Sequence, residues 1–103
     1  MLAELSVFPL DKAKEGLSRY VAESIKIIEE SGLEFEVHAM GTLIEGPSDK
    51  VFAVIRACHE NMTRHSNRVM TTVKIDDRKG ADGRIAGKVK SVEEELGRKV
   101  PKG

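Results

Sequence analysis

The sequence has no tryptophan, one tyrosine and only three phenylalanines in 103 residues. Its interior must therefore be built mainly from Val, Ile, Leu and Met. A single cysteine, Cys58, excludes an intramolecular disulfide and leaves no cysteine framework for zinc, so a reducing, cytoplasmic setting is the expectation. Net charge is also missing: 17 Lys and Arg balance 17 Asp and Glu. No global field then draws phosphate backbones, and nucleic acid is not an expected partner. No apolar run approaches the roughly 20 residues of a membrane-spanning helix. The opening Met1-Leu2-Ala3-Glu4-Leu5 carries an acid inside its apolar stretch, so neither secretion nor membrane insertion is expected.

What is present suits one folded domain covering 1–103. A hydrophobic fraction of 40% is enough for a core, and charged residues at 33% fit a solvated surface. Small domains bury a smaller fraction of their surface than large ones, which makes self-association a natural source of further burial.

Period-two alternation predicts a strand over Leu2-Ala3-Glu4-Leu5-Ser6-Val7-Phe8, stopped at Pro9 by the loss of a ladder donor. A polar connection follows at Asp11-Lys12-Ala13-Lys14-Glu15-Gly16. Leu17, Val21, Ile25 and Ile28 then form a helical stripe, with Ser18 as N-cap and Gly32 as terminator. Alternation returns in Glu34-Phe35-Glu36-Val37-His38-Ala39-Met40, with Phe35, Val37 and Ala39 toward the core. A turn near Met40-Gly41 sends Thr42-Leu43-Ile44-Glu45 back as a third strand. Ser48 is a cap for a second helix, striped by Val51, Ile55, Cys58 and Met62 and ending near Ser66-Asn67. The β-branched run from Val69 to Ile75 is a fourth strand. After a polar breaker over 76–83, Ile85, Val89, Val92 and Leu96 mark a last helix, about 84–97, with Gly97 as its stop.

The order β-α-β-β-α-β gives an α+β, ferredoxin-like sandwich: a four-stranded antiparallel sheet with two helices on one face, its core spanning about 2–78. The C-terminal helix is an appendage whose apolar stripe must dock on its own sheet edge or on a neighbouring subunit. Alternation places Glu4, Ser6, Phe8, Glu36, His38, Met40, Met70, Thr72 and Lys74 on the opposite, open face. Phe8, Met40 and Met70 among hydroxyls, carboxylates and an imidazole suit a subunit interface or an organic-ligand pocket.

Ser6-Val7-Phe8-Pro9, Met40-Gly41-Thr42-Leu43-Ile44-Glu45-Gly46, Val51-Phe52-Ala53 with Cys58-His59-Glu60, and Arg68-Val69 through Lys74-Ile75-Asp76-Asp77-Arg78 together resemble the thiamine-binding protein family. The resemblance covers 2–78 and continues more loosely through the last helix. It implies a ferredoxin-like subunit that assembles into dimers and tetramers through its sheets, with no catalytic cycle, and that binds thiamine or a related hydroxymethylpyrimidine. Thiamine joins a permanent cation to an aminopyrimidine, so a site needs carboxylate compensation, hydrogen-bonding groups and polarizable walls. The ligand-binding candidates are Glu4, Ser6, Phe8, His38, Met40, Thr42, Glu45 and Thr72. Lys74 on the same face opposes a cation and suits a phosphate or an ion pair with Glu4 or Glu36.

No catalytic residue, metal site or resident cofactor is expected. His59 and His65, six apart on a helix, point about 240° apart around its axis. Cys58 sits on a buried stripe, as a small core residue does. Glu45, where a strand meets Gly46-Pro47, either takes part in a site or complements a turn or helix N-terminus. An acylphosphatase-like activity needs Arg and Asn around a phosphate cradle, and the loop after the first strand has neither. RNA binding on such a sheet needs exposed aromatics for stacking, and only Phe8 is available. The functional expectation is thus a non-catalytic binder of thiamine or its pyrimidine, on the open face or at a subunit interface. The alternative is a structural or regulatory homo-oligomer, joined through sheet faces and C-terminal helix, that binds no thiamine.

Overall fold

The structure is a computed structural model that describes residues 1–80 and 83–100, with backbone alone at 13–15. Positions 81 and 82 of the expected polar breaker lie outside the described residues. In chain order the elements are β1 (Leu2–Pro9), a 3₁₀ helix (Leu10–Glu15), α1 (Ser18–Ser31), β2 (Glu34–His38), β3 (Gly41–Glu45), α2 (Ser48–Thr63), β4 (Val69–Asp76) and α3 (Arg84–Leu96). The four strands form one antiparallel sheet in the order β2-β3-β1-β4. This is the ferredoxin-like arrangement expected from the alternating strand and helix periods.

Alternation along β1 sends Ala3, Leu5, Val7 and Pro9 toward α1 and α2, where all four are buried. Their neighbours in register are Ile44 and Thr42 on β3 and Val73 and Ile75 on β4. Leu5, Val7, Tyr20, Ile28, Ile44, Val54, Cys58 and Met62 make the central cluster. Burial pushes the Cys58 thiol pKa up to about 11, and its Sγ donates to the Ser24 carbonyl at 3.7 Å. The two helices are clasped by Glu23, whose Oε1 accepts from Asn61 Nδ2 at 3.1 Å and lies 2.9 Å from His65 Nε2. His59 Nδ1 sits 2.6 Å from Thr71 Oγ1, and His65 lies in the turn beyond α2, which ends at Thr63, so the two histidines do not share a helix as the sequence reading expects.

Several local expectations are corrected. The buried positions of α1 are Tyr20, Ser24 and Ile28, while Val21 is 40% exposed. The helix is rotated from the predicted stripe because the sheet beneath its first two turns is incomplete. Ser18 and Ser48 are the first helical residues and not caps; Leu17 and Pro47 hold the cap positions without side-chain hydrogen bonds. Gly32 does terminate α1, in the left-handed region at φ 77°. The second helix stops at Thr63, earlier than predicted. Phe35 and Val37 take the helix side of β2 but remain well exposed, because β2 is an edge strand the two helices overhang only in part.

The last helix crosses the open face of the sheet. Its Ile85 and Val89 cover Leu2 and Leu43 around a cavity of about 220 Å³. Val92 and Leu96 remain exposed, at 51% and 50%.

Candidate functional site

The site is set by an inequality of strand lengths. Strand β1 has eight residues and β3 only five, and the β1–β3 ladder pairs Leu2 with Glu45 through Leu5 with Thr42 and no further. On its other side β1 pairs with β4 along its whole length, as far as Pro9 with Val69. The second half of β1 therefore has a neighbour on one side only.

The direction of its main-chain groups follows from two fixed points. Met1 and Gly46 exchange hydrogen bonds in both directions, N to O at 2.9 and 3.1 Å, so odd-numbered residues of β1 point toward β3. The Leu10 N–H donates to the Arg68 carbonyl at 2.8 Å, so even-numbered residues point toward β4. Pro9 is odd, and its missing N–H falls where no ladder exists. For that reason the strand runs through Pro9, where the sequence reading ended it. Val7 is odd too, and directs both N–H and C=O to the side where β3 has stopped.

A cleft of about 370 Å³ occupies that side. Leu5, Ser6, Val7 and Phe8 form one wall, Leu17, Val21, Ser24, Ile25 and Ile28 of the α1 segment a second, and Val37 through Thr42 of the β2–β3 hairpin a third. This volume falls in the range of small-molecule sites. Gly41 keeps the hairpin close: a Cβ there would come within 3.2 Å of both the Leu5 carbonyl oxygen and Glu4 Cγ.

Of the residues expected to bind ligand, Ser6, Phe8, His38, Met40 and Thr42 come together here. Thr42 reaches the cleft from the helix side and not from the open face, because its register opposite Leu5 and Val37 fixes that orientation. Glu4, Glu45 and Thr72 are not in the lining. Glu4 lines the cavity beneath α3 with Lys74, its cross-strand partner. Thr72 is exposed on β4, opposite Ser6. Glu45 is buried, with Oε2 accepting from the Arg84 N–H at 2.7 Å and Oε1 from the Ile85 N–H at 3.2 Å. It complements a helix N-terminus, but that of α3 and not of α2.

The sequence reading does not contain the α1 wall: it places Leu17, Val21 and Ile25 on a helical stripe without separating a core from a cleft. The available signal was strand length: a first strand longer than the third leaves part of the helical stripe with no sheet to cover.

Chemically the cleft is mostly apolar, and its described lining holds no Asp, Glu, Lys or Arg. His38 is the one titratable group among the described lining residues, and its Nε2 lies 3.4 Å from Glu36 Oε1 at the rim. Cys58, buried behind the wall and with its thiolate disfavoured, offers no nucleophile. Among the described residues no group of three His, Cys, Asp or Glu side chains is placed to hold a metal ion, and no helix is long and apolar enough to cross a membrane.

The fold is a small ferredoxin-like sandwich with an open cleft at the end of β3, and comparison with known proteins gives it a lineage. The chain belongs to the thiamine-binding protein family, whose model matches residues 3–93. A UPF0045 protein of Methanothermobacter thermautotrophicus is 40% identical over 96 residues, covering 91% of this chain and 97% of that protein. The crystal structure of a hypothetical protein from Methanocaldococcus jannaschii superposes with a TM-score of 0.82 at 33% identity, over 90% of this chain and 95% of the other. A Thermotoga maritima protein provisionally assigned to thiamine biosynthesis or salvage shares the fold, with a TM-score of 0.77 at 20% identity over 88% and 96% of the two chains.

Proposed function

We propose that this protein binds thiamine, or its hydroxymethylpyrimidine part, in the cleft at the unpaired end of β1, and does so without transforming it. The observation that carries this reading is the convergence of Ser6, Phe8, His38, Met40 and Thr42 on one mostly apolar cleft large enough for an organic molecule. Membership in the thiamine-binding family supports the ligand. Phe8 and Met40 supply polarizable walls, and Ser6 and Thr42 supply hydroxyls for a heterocycle edge. Among the described lining residues His38 is the one candidate base, and its Nε2 faces Glu36 and not a hydroxyl, which supports a carrier or sensor over an enzyme.

Self-association is part of the same proposal. Met70, Val92 and Leu96 expose apolar surface on the open face and on α3, and β2 and β4 both present sheet edges. A homo-oligomer without thiamine is the second reading that these surfaces favour.

Isothermal titration with thiamine, with light scattering on the same sample, tests both. Saturable binding at micromolar concentration, weakened roughly tenfold by Phe8→Ala, is the expected result. A folded oligomer that takes up no thiamine would leave only the second reading.

A further inference from the structure

The proposal above leaves open which half of a two-part ligand enters the cleft, and what reads it. Two features bear on this. The lining carries no carboxylate among its described residues, so a permanent cation placed inside would be desolvated without compensation. A neutral ring avoids that cost. In addition, Val7 directs a main-chain donor and a main-chain acceptor together into the same wall, with its ladder partner on that side missing.

We propose that the Val7 N–H and C=O read the amidine-like edge of an aminopyrimidine, in place of the strand that stops short. The ring nitrogen accepts from the Val7 N–H, and the adjacent exocyclic amino group donates to the Val7 carbonyl. The ring thus completes the ladder as one more hydrogen-bonded pair would. Phe8 flanks it as an apolar wall. A charged arm on the ring then lies toward the mouth, where Glu36 and His38 stand half exposed and Met40 is 86% exposed. Specificity resides in main-chain geometry, so no single polar side chain is required to recognise the ring. This inference rests on the ligand being thiamine or its pyrimidine, and assigns the half that is buried and the atoms that bind it.

The test uses four probes against the intact protein by isothermal titration: thiamine, oxythiamine, 4-amino-5-hydroxymethyl-2-methylpyrimidine, and the hydroxyethylthiazole half alone. Oxythiamine carries a ring N–H and a carbonyl where thiamine has a bare ring nitrogen and an amino group. With the charged arm kept at the mouth, donor meets donor and acceptor meets acceptor. Oxythiamine should bind about 100-fold more weakly than thiamine. The pyrimidine should stay within about tenfold of thiamine, and the thiazole should give no saturable heat. In the ¹⁵N–¹H spectrum, the Val7 amide proton should move downfield on saturation with the pyrimidine. Equal affinity for thiamine and oxythiamine, or binding of the thiazole but not the pyrimidine, overturns the Val7 assignment and leaves thiamine binding intact. Binding of none of the four overturns both.

Discussion

At the scale of single residues, the cleft wall contains a group whose removal has a predictable sign. Ser24 is 5% exposed and its Oγ has no hydrogen-bond partner among the described residues. A buried hydroxyl left unmet costs stability, and alanine is the better helix former. Ser24→Ala should therefore stabilise the free protein by about 1 kcal/mol, raising Tm by about 4 °C or more in a domain of this size. A lower Tm by thermal denaturation would contradict the unmet state of the hydroxyl. Residue-level legibility was uneven for a physical reason. Ser6, Phe8 and His38 follow from period-two alternation. Thr42 reached the site from the opposite face, because its facing depends on hairpin register, which a two-residue turn at Ala39-Met40 sets and composition does not announce. Glu45 was recognisable as a helix-capping acid, but its partner lies 39 residues further along the chain, beyond any local pattern.

Among the elements, α3 depends most on few interactions. Glu45 satisfies its first amides, and Asp76 receives Lys88 Nζ and stands 3.5 Å from Arg84 Nη2. Its Ile85 and Val89 line one cavity with Leu2 and Leu43 of the sheet. Replacing Glu45 with alanine should cost about 1–2 kcal/mol, the usual value of a lost cap, and should act locally. Hydrogen exchange of α3 amides should accelerate by roughly tenfold, while amides of β1 and β3 keep their protection. Uniform acceleration throughout the sheet would mean that Glu45 supports the core and not α3 alone. All four strands and all three helices were legible, since each is long enough for its period to show. The rotation of α1 was not legible: Leu17, Val21 and Ile25 are equally suited to a core and to an apolar ligand cleft, and only the absence of β3 beneath them decides.

Across the whole molecule, several carboxylates are held below their ordinary range by partners formed on folding. Asp11 accepts from the Ser66 hydroxyl, the largest influence on it, and from the Asn67 N–H at 3.1 Å, tying the 3₁₀ helix to the segment that enters β4. Glu23 is lowered chiefly by the Asn61 amide and then by His65, and Asp76 chiefly by Lys88. A folded-state pKa below the unfolded one gives stabilisation that is complete above about pH 4, the unfolded carboxylate range, and is lost as pH falls through the lower folded values. Tm should thus be nearly flat from pH 7 to about 5 and decline below about 4. Asp11→Asn should lower Tm at neutral pH and make the acid decline shallower. A wild-type Tm that stays level to about pH 2 would contradict the linkage.

The short third strand has a further consequence for change over time. Lengthening both arms of the β2–β3 hairpin by two residues would seat an amide opposite Val7, add a ladder pair and fill the cleft with backbone. Such a variant would be a better-closed sheet and a protein with nowhere to put a ligand, although every lining side chain on β1 and α1 was retained. On the proposed function, the capacity to bind is set by a length. Insertions or deletions in that hairpin would switch it off or restore it without any substitution at the residues that surround it.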